Sequence, residues 1–235
     1  MALFYVPNIA TSKTLPEEES QHAIKVLRLQ VGDSIDLVDG NGGYYKAKIT
    51  NSHPKHCSFE ITTTVLAYCK RDYKLHIAIA PTKNIERLEW FIEKATEIGV
   101  DEITPIICRY SERKIVKNER LEKIIVSASK QSVKAYFPKL NPLCTFDEFM
   151  NKQHIADKFI AHCYEDEKVL FQNNCKNSKD LLILIGPEGD FSKEEVLKAI
   201  SKNYTPVSLG NSRLRTETAG VVACCTMAIS DSNNS

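Results

Sequence analysis

Two stretches hold the residue types that a ligand-binding or catalytic turn requires. In Ile185-Gly186-Pro187-Glu188-Gly189-Asp190-Phe191-Ser192 the glycines let backbone approach a bound molecule, while the proline stiffens the turn and removes one donor. Ser192 and Glu195 continue it with a capping box that starts a helix. A plain structural turn before a capped helix has the same appearance. The second stretch is Ser208-Leu209-Gly210-Asn211-Ser212-Arg213-Leu214-Arg215-Thr216-Glu217-Thr218-Ala219. It sets Arg213 and Arg215 where the chain enters a helix N-terminus, and cations there oppose the helix dipole. Local rules broken without structural gain tend to mark sites; the alternative is that both arginines are solvated or pair with Glu217 or Asp190. A third stretch, His22-Ala23-Ile24-Lys25-Val26-Leu27-Arg28, puts His22, Lys25 and Arg28 at i, i+3, i+6 of a helix, one basic edge able to meet phosphates. The competing reading is a solvated helix face with Val26 and Leu27 in the core. His22 stands alone, and no metal site is expected.

These residues need a scaffold, and the chain supplies two kinds. From Ala2 to about Tyr68 the pattern is short and strand-like, in Leu3–Val6, Ser34–Val38, Tyr44–Thr50 and Phe59–Val65, with alternation and β-branched residues. Asp39-Gly40-Asn41-Gly42-Gly43 suits a tight hairpin connection, and a small β-barrel is the natural product. One helix interrupts it, from near Pro16, with Glu17, Glu18 and Glu19 in its first turn, to about Leu27. After Lys70-Arg71-Asp72 strand and helix alternate. Leu75–Ala80 is a buried strand, then Ile85, Leu88, Phe91, Ile92, Ala95 and Ile98 recur at helical spacing up to Gly99. Strands follow at Ile103–Cys108, Phe159–Cys163 and Leu181–Ile185, with a helix carrying Leu121, Ile124, Ile125 and Ala128 between them. This is the pattern of a parallel sheet covered by helices, an α/β domain, and it predicts a boundary near residue 71, with domains 1–71 and 72–235. In such a sheet ligands bind beyond the strands' carboxyl ends, here the loops after Cys163, Ile185 and Leu209.

The 235 residues, 43% of them hydrophobic, are enough for one sizeable core or a small one beside a larger one. Thirty-one Lys and Arg nearly balance thirty Asp and Glu, so any nucleic-acid surface must be local. The eight cysteines, at 57, 69, 108, 144, 163, 175, 224 and 225, show no C-x-x-C spacing and follow no leader, which predicts reduced thiols in a cytoplasmic protein. The longest apolar run, Ala219–Ile229, is short of the roughly 20 residues a membrane helix needs. No membrane association is expected, and the tail 230–235 is predicted to fray.

Taken together, H-x-x-x-V-L-R at His22–Arg28, I-G-P-E-G at Ile185–Gly189 and L-G-x-x-x-L-R-T-E-T-A at Leu209–Ala219 resemble the signature of bacterial 16S ribosomal RNA (uracil-N3)-methyltransferases, the RsmE type of the SPOUT superfamily. The segments Lys83–Val100 and Ser127–Pro138 support the likeness, which spans the whole chain. It implies a PUA-like β-barrel followed by an α/β domain with a deep trefoil knot, a homodimer, and S-adenosylmethionine held in the knot. By position, backbone around His162 and Cys163, Ile185 to Gly189, and Leu209, Gly210, Leu214 and Thr218 would enclose the cofactor. Arg215, Thr216 and Glu217 would stand at its reactive end. Ribosomal RNA, within the small subunit, would meet His22, Lys25, Arg28, Arg109, Arg113, Lys114 and Arg213. The chain departs from the pattern at Ser212, where many members carry arginine, at Arg213, a usually apolar position, and at Lys130 and Lys134. The implied reaction moves a methyl group to uridine N3, with Arg215 near the uracil carbonyl oxygens and Glu217 orienting it or relaying the proton. A methyltransferase of another RNA such as tRNA, or a silent RNA-binding assembly factor, are the competing readings.

Overall fold

The computed structural model describes residues 3–176 and 178–232, the last two by their backbone alone. The chain forms two compact units, Met1–Lys70 with Val126–Phe137, and Arg71–Ile125 with Pro138–Ser235.

In the first unit β1 (Leu3–Tyr5) pairs in parallel with β2 (Ser34–Val38), and β3 (Tyr44–Asn51) and β4 (Ser58–Val65) continue the sheet as antiparallel neighbours. Residues 13–15 bond to the outer edge of β4 through Phe59 N–H to the Lys13 carbonyl and Leu15 N–H to the Cys57 carbonyl. This adds a short antiparallel bridge, Thr14 to Ser58, at that edge. Alternation along the strands sends Phe4, Ile35, Leu37, Ala47, Ile49 and Phe59 into one core. The hairpin between β2 and β3 is the predicted one. The Asp39 carboxylate accepts from the N–H groups of Asn41 and Gly43 at 2.7 and 2.9 Å, and Gly40 and Gly42 take φ of +79° and +101°.

The helix from Pro16 departs from expectation. After α1 (Glu17–Gln21) the turns widen into a π-helical stretch over His22–Val26, and Arg28 takes φ +58°. The wider turn rotates the following residues outward. Val26 and Leu27 are 65% and 40% exposed, so the core reading for them is wrong, and Ala23 is the residue buried from this stretch. His22, Lys25 and Arg28 are all exposed. Lys130, one of the departures from the family pattern, donates to both carboxylate oxygens of Glu19 at 2.6 and 2.7 Å.

The second unit is built on strands β5 (Lys74–Ile79), β6 (Glu102–Ile107), β7 (Lys139–Leu140), β8 (Cys144–Thr145), β9 (Asp157–Ala161), β10 (Val169–Leu170), β11 (Asp180–Ile185) and β12 (Thr205–Ser208). Their order is β10-β12-β9-β11-β5-β6-β7, with β8 also on β6, and every pairing among the described residues is parallel. Its helices are α2 (Ile85–Ile98), the first turns of α3 (Asn118–Gln131), α4 (Phe146–Met150), α5 (Phe171–Asn174), α6 (Lys193–Ser201) and α7 (Thr216–Ser232). The central strand β11 is apolar without alternation, and Leu181 to Ile185 are at most 2% exposed, as a strand covered on both faces must be. Burying each such side chain stabilises the fold by about 1.5–3 kcal/mol.

Helix α2 starts where Asn84 Oδ1 accepts from Glu86 N–H at 3.1 Å and stops at Gly99, φ +127°. The apolar final helix α7 packs on α2, β5 and β11. Gly220 makes this possible, since a Cβ there would collide with the Phe91 ring. The tail does not fray at Ser230, which is buried with its hydroxyl 3.8 Å from Cys175 Sγ. Residues 233–235 lie outside the described residues. No helix among the described residues is long and apolar enough to cross a membrane, and all eight cysteines are unpaired.

Candidate active site

Strand β9 ends at Ala161, two residues earlier than the sequence pattern suggests, which leaves His162 and Cys163 in the loop beyond it. That loop, the turn after β11 and the segment between β12 and α7 meet around a cavity of about 540 Å³. Ala161, Val207, Leu209, Leu214 and Ala219 give apolar walls, and residues 185–188 and 208–215 complete the lining. A volume and lining of this kind suit a nucleoside-sized ligand.

Three contacts hold the loops together. Thr216, buried at the first turn of α7, donates its hydroxyl to the Gly186 carbonyl at 2.9 Å, binding the two glycine-bearing segments into one wall. Asp190, in the left-handed region at φ +65°, accepts from Cys163 N–H at 2.7 Å and from its own neighbour Phe191 N–H at 2.8 Å. The predicted capping box is present: Ser192 Oγ accepts from Glu195 N–H at 3.2 Å, and the Glu195 carboxylate accepts in return from Ser192 N–H at 2.8 Å. The other oxygen of Glu195 accepts from Arg109 N–H.

Glycine suits the site twice, for different reasons. At Gly186 a Cβ would sit 3.0 Å from the Phe191 ring and 3.2 Å from its backbone nitrogen, whereas Gly210 has φ +132° with open space where a side chain would point. His162 is 7% exposed, and neither ring nitrogen has a hydrogen-bond partner among the described residues. Burial, and then the nearby Lys168 ammonium, hold its pKa below the ordinary value, against Asp190 and Asp166. Lys168 donates to the carbonyls of His162 and Tyr164. A buried imidazole with both nitrogens idle, beside open backbone and apolar walls, fits a ligand that brings polar groups of its own.

Arg215 lines this cavity and also a second hollow of about 320 Å³, which Asn84, Glu86, Arg87, Trp90, Glu217 and Thr218 complete. Glu217 is 6% exposed; one carboxylate oxygen lies 3.8 Å from Arg87 Nε, and the other is buried without a partner among the described residues.

Of the residues singled out in the sequence, His162, Cys163, Ile185, Gly186, Pro187, Glu188, Leu209, Gly210, Arg213, Leu214, Arg215 and Thr216 converge on the first cavity. Gly189 backs instead onto Tyr110, and Glu217 and Thr218 face the second hollow. No carboxylate among the described residues lies within ion-pair distance of Arg213 or Arg215. The suggested partners are engaged elsewhere, Glu217 beside Arg87 and Asp190 on backbone N–H groups. Arg109 and Lys114 are exposed, while Arg113 spends its guanidinium on the Thr82 and Lys83 carbonyls at 3.0 and 2.7 Å. Sequence reasoning missed Lys168 and Val207 in the cavity and Asn84, Arg87 and Trp90 in the hollow.

A family model for an RNA methyltransferase domain matches residues 69–228, and one for an RNA methyltransferase PUA domain matches 15–62. A ribosomal RNA small subunit methyltransferase E of Rickettsia conorii is 30% identical over 213 residues, covering 89% of this chain and 86% of that one. The crystal structure of a probable rRNA-methyltransferase from Porphyromonas gingivalis is similar with a TM-score of 0.92 and 40% identity, covering 100% of both chains. That of a ribosomal RNA small subunit methyltransferase E from Neisseria gonorrhoeae bound to S-adenosyl methionine has a TM-score of 0.84 and 26% identity, covering 97% of this chain and 96% of that one.

Proposed function

Because the chain belongs to the ribosomal RNA small subunit methyltransferase E family, we propose that it methylates N3 of one uridine in the 16S ribosomal RNA of the small subunit. It is an S-adenosylmethionine-dependent rRNA methyltransferase. The observation that carries the reading is the hydroxyl bond from Thr216 to the Gly186 carbonyl, which makes one cavity of two separate glycine-bearing segments. Backbone of 185–188 and 208–215 and the idle His162 ring would hold the cofactor there. Once bound, it supplies an electrophilic methyl group on a sulfonium.

The chain's own residues have two tasks. Uracil N3 must lose a proton whose intrinsic pKa lies well above neutral, and the resulting negative charge must be stabilised while N3 is aligned with the methyl carbon. Arg215, unpaired and on the border between cavity and hollow, is placed to neutralise charge on a uracil carbonyl oxygen. The unpartnered oxygen of Glu217 is an acceptor for the N3 proton. The bound cofactor would supply the methyl carbon to N3 and retain its sulfur as the leaving group, while the N3 proton leaves toward Glu217 and then solvent. Thr216 acts through the Gly186 carbonyl and is a positioning residue.

Several further features belong to this reading. The path from β12, beyond β9, back to α7 on α2, β5 and β11 supports the deep trefoil knot. The stripe Val222, Cys225 and Ile229 on α7, the last 60% exposed, supports a homodimer. Exposed His22, Lys25 and Arg28, and Arg109 and Lys114, are the phosphate contacts we assign to ribosomal RNA. Unpaired thiols and an RNA substrate support a cytoplasmic location.

Small subunits purified from a strain lacking this gene are the test. Wild-type protein with S-adenosylmethionine is expected to add one methyl group at N3 of a uridine, and Arg215→Ala to do so about a hundredfold more slowly. A mark on tRNA, or none on any RNA, overturns the proposal.

A further inference from the structure

The second hollow lies against α2 and the start of α7 and shares Arg215 with the cofactor cavity. Three of its features are unexplained by packing. Trp90 stands off the apolar stripe of α2 and is 43% exposed. Glu217 is more than nine-tenths buried, yet one oxygen has no donor among the described residues. Arg87 and Arg215 bring two guanidinium groups to the same walls, and the Arg87 contact to Glu217 is a long 3.8 Å. A buried carboxylate with an unused oxygen, its one near cation 3.8 Å away, is costly to fold unless a ligand completes it.

Resting on the methyltransferase reading, we propose that this hollow is the seat of the target base, with Trp90 as the stacking face and Arg87, Glu217 and Arg215 as the edge contacts that admit uracil and reject cytosine. The imide edge of uracil offers acceptor, donor, acceptor. Arg87, Arg215 and Glu217, all lining this hollow, have the two donors and one acceptor that match it. Cytosine offers acceptor, acceptor, donor, so its N3 lone pair would face the Glu217 oxygen and its amino group a guanidinium. Both contacts repel, and leaving buried polar groups mispaired is what gives such sites their discrimination. Stacking on the indole is indifferent to the choice of base and supplies affinity.

Trp90 is the only tryptophan in the chain, so its fluorescence reports on this hollow alone. With the protein loaded with S-adenosylhomocysteine, a short oligouridine is expected to quench that emission and an oligocytidine of equal length to leave it unchanged. Glu217→Gln, whose amide can donate or accept, is expected to respond to both. Equal quenching of wild type by the two oligomers, or silence of Trp90 while labelled oligouridine binds by anisotropy, overturns the assignment. Trp90→Ala is expected to lower kcat/KM on small subunits from the deletion strain about tenfold, with cofactor affinity by calorimetry unchanged. Wild-type kcat/KM in that variant overturns the subsite while leaving the function intact. If wild type itself fails to methylate the subunits, the function falls, and the uridine preference of the fluorescence still decides the subsite.

Discussion

The cofactor cavity and the basic strip His22–Arg28 are both assigned to ligand binding, and they are made in opposite ways. The cavity is shaped by main chain: a glycine whose added Cβ would press on Phe191, another at positive φ, a buried threonine hydroxyl joining two loops, and an aspartate that spends its carboxylate on N–H groups. The strip is made of exposed side chains on a π-helical turn, and its only buried member is Ala23. A main-chain site is rigid and particular about shape. A strip of solvated cations works through charge, tolerates substitution and is screened by salt. One region should therefore fail abruptly when its geometry is disturbed, and the other gradually as charge is removed.

The sharpest way to break this contrast is Gly186→Val. The first added carbon already meets the Phe191 ring at 3.0 Å, and the turn must move to admit the rest. Overpacking of this kind costs about 1–3 kcal/mol, and affinity for S-adenosylmethionine by calorimetry is expected to fall up to about a hundredfold. Unchanged affinity would mean that main chain at this turn does not shape the site.

A smaller and graded effect is expected from replacing His22, Lys25 and Arg28 by alanine. Each phosphate left without its cation should lower the slope of log affinity against log salt by about 1, with RNA binding weakened on the order of tenfold at moderate salt. Cofactor affinity should not move. An unaltered salt slope would remove the strip from the RNA surface.

The mildest effect comes from pH. With burial as the first cause and Lys168 the second, the His162 ring is held below its ordinary 6.5, so it is neutral at physiological pH and takes a proton only on the acid side. Cofactor affinity is expected to stay level down to about pH 6.5 and then fall a few-fold, as a cation forms beside a ligand that carries a sulfonium. The unfolded chain takes that proton first, so stability also drops as pH falls below 6.5. A His162→Asn protein whose cofactor affinity keeps the same acid fall would exclude this ring as its origin.

Periodicity made much of the second unit readable. Leu88, Phe91, Ile92 and Ala95 are buried as their spacing requires, Gly99 ends α2, and the Ser192 to Glu195 box is in place. The cavity loops were readable because glycine, proline and a cation at a helix entrance each break a local preference. The π-helical widening after Gln21 was not readable, because it adds one residue to a turn without changing composition, and it moves Val26 and Leu27 from an expected core to solvent. The return of Val126–Phe137 to the first unit was equally hidden, since such pairings, like Gly42 N–H to the Ala135 carbonyl, join residues far apart in the chain. Trp90 was half readable. Its place off the apolar stripe of α2 marks it as exposed, but nothing nearby in the chain shows that Glu217 would be buried next to it.

The wall that Thr216 closes is synthesised after every strand of the second unit's sheet. A ribosome making this enzyme therefore releases most of the α/β scaffold before the last side of the cavity exists. A chain cut short before α7 would lack that wall, and on the function proposed above it would be silent, with no partial activity toward the RNA of the machine that makes it.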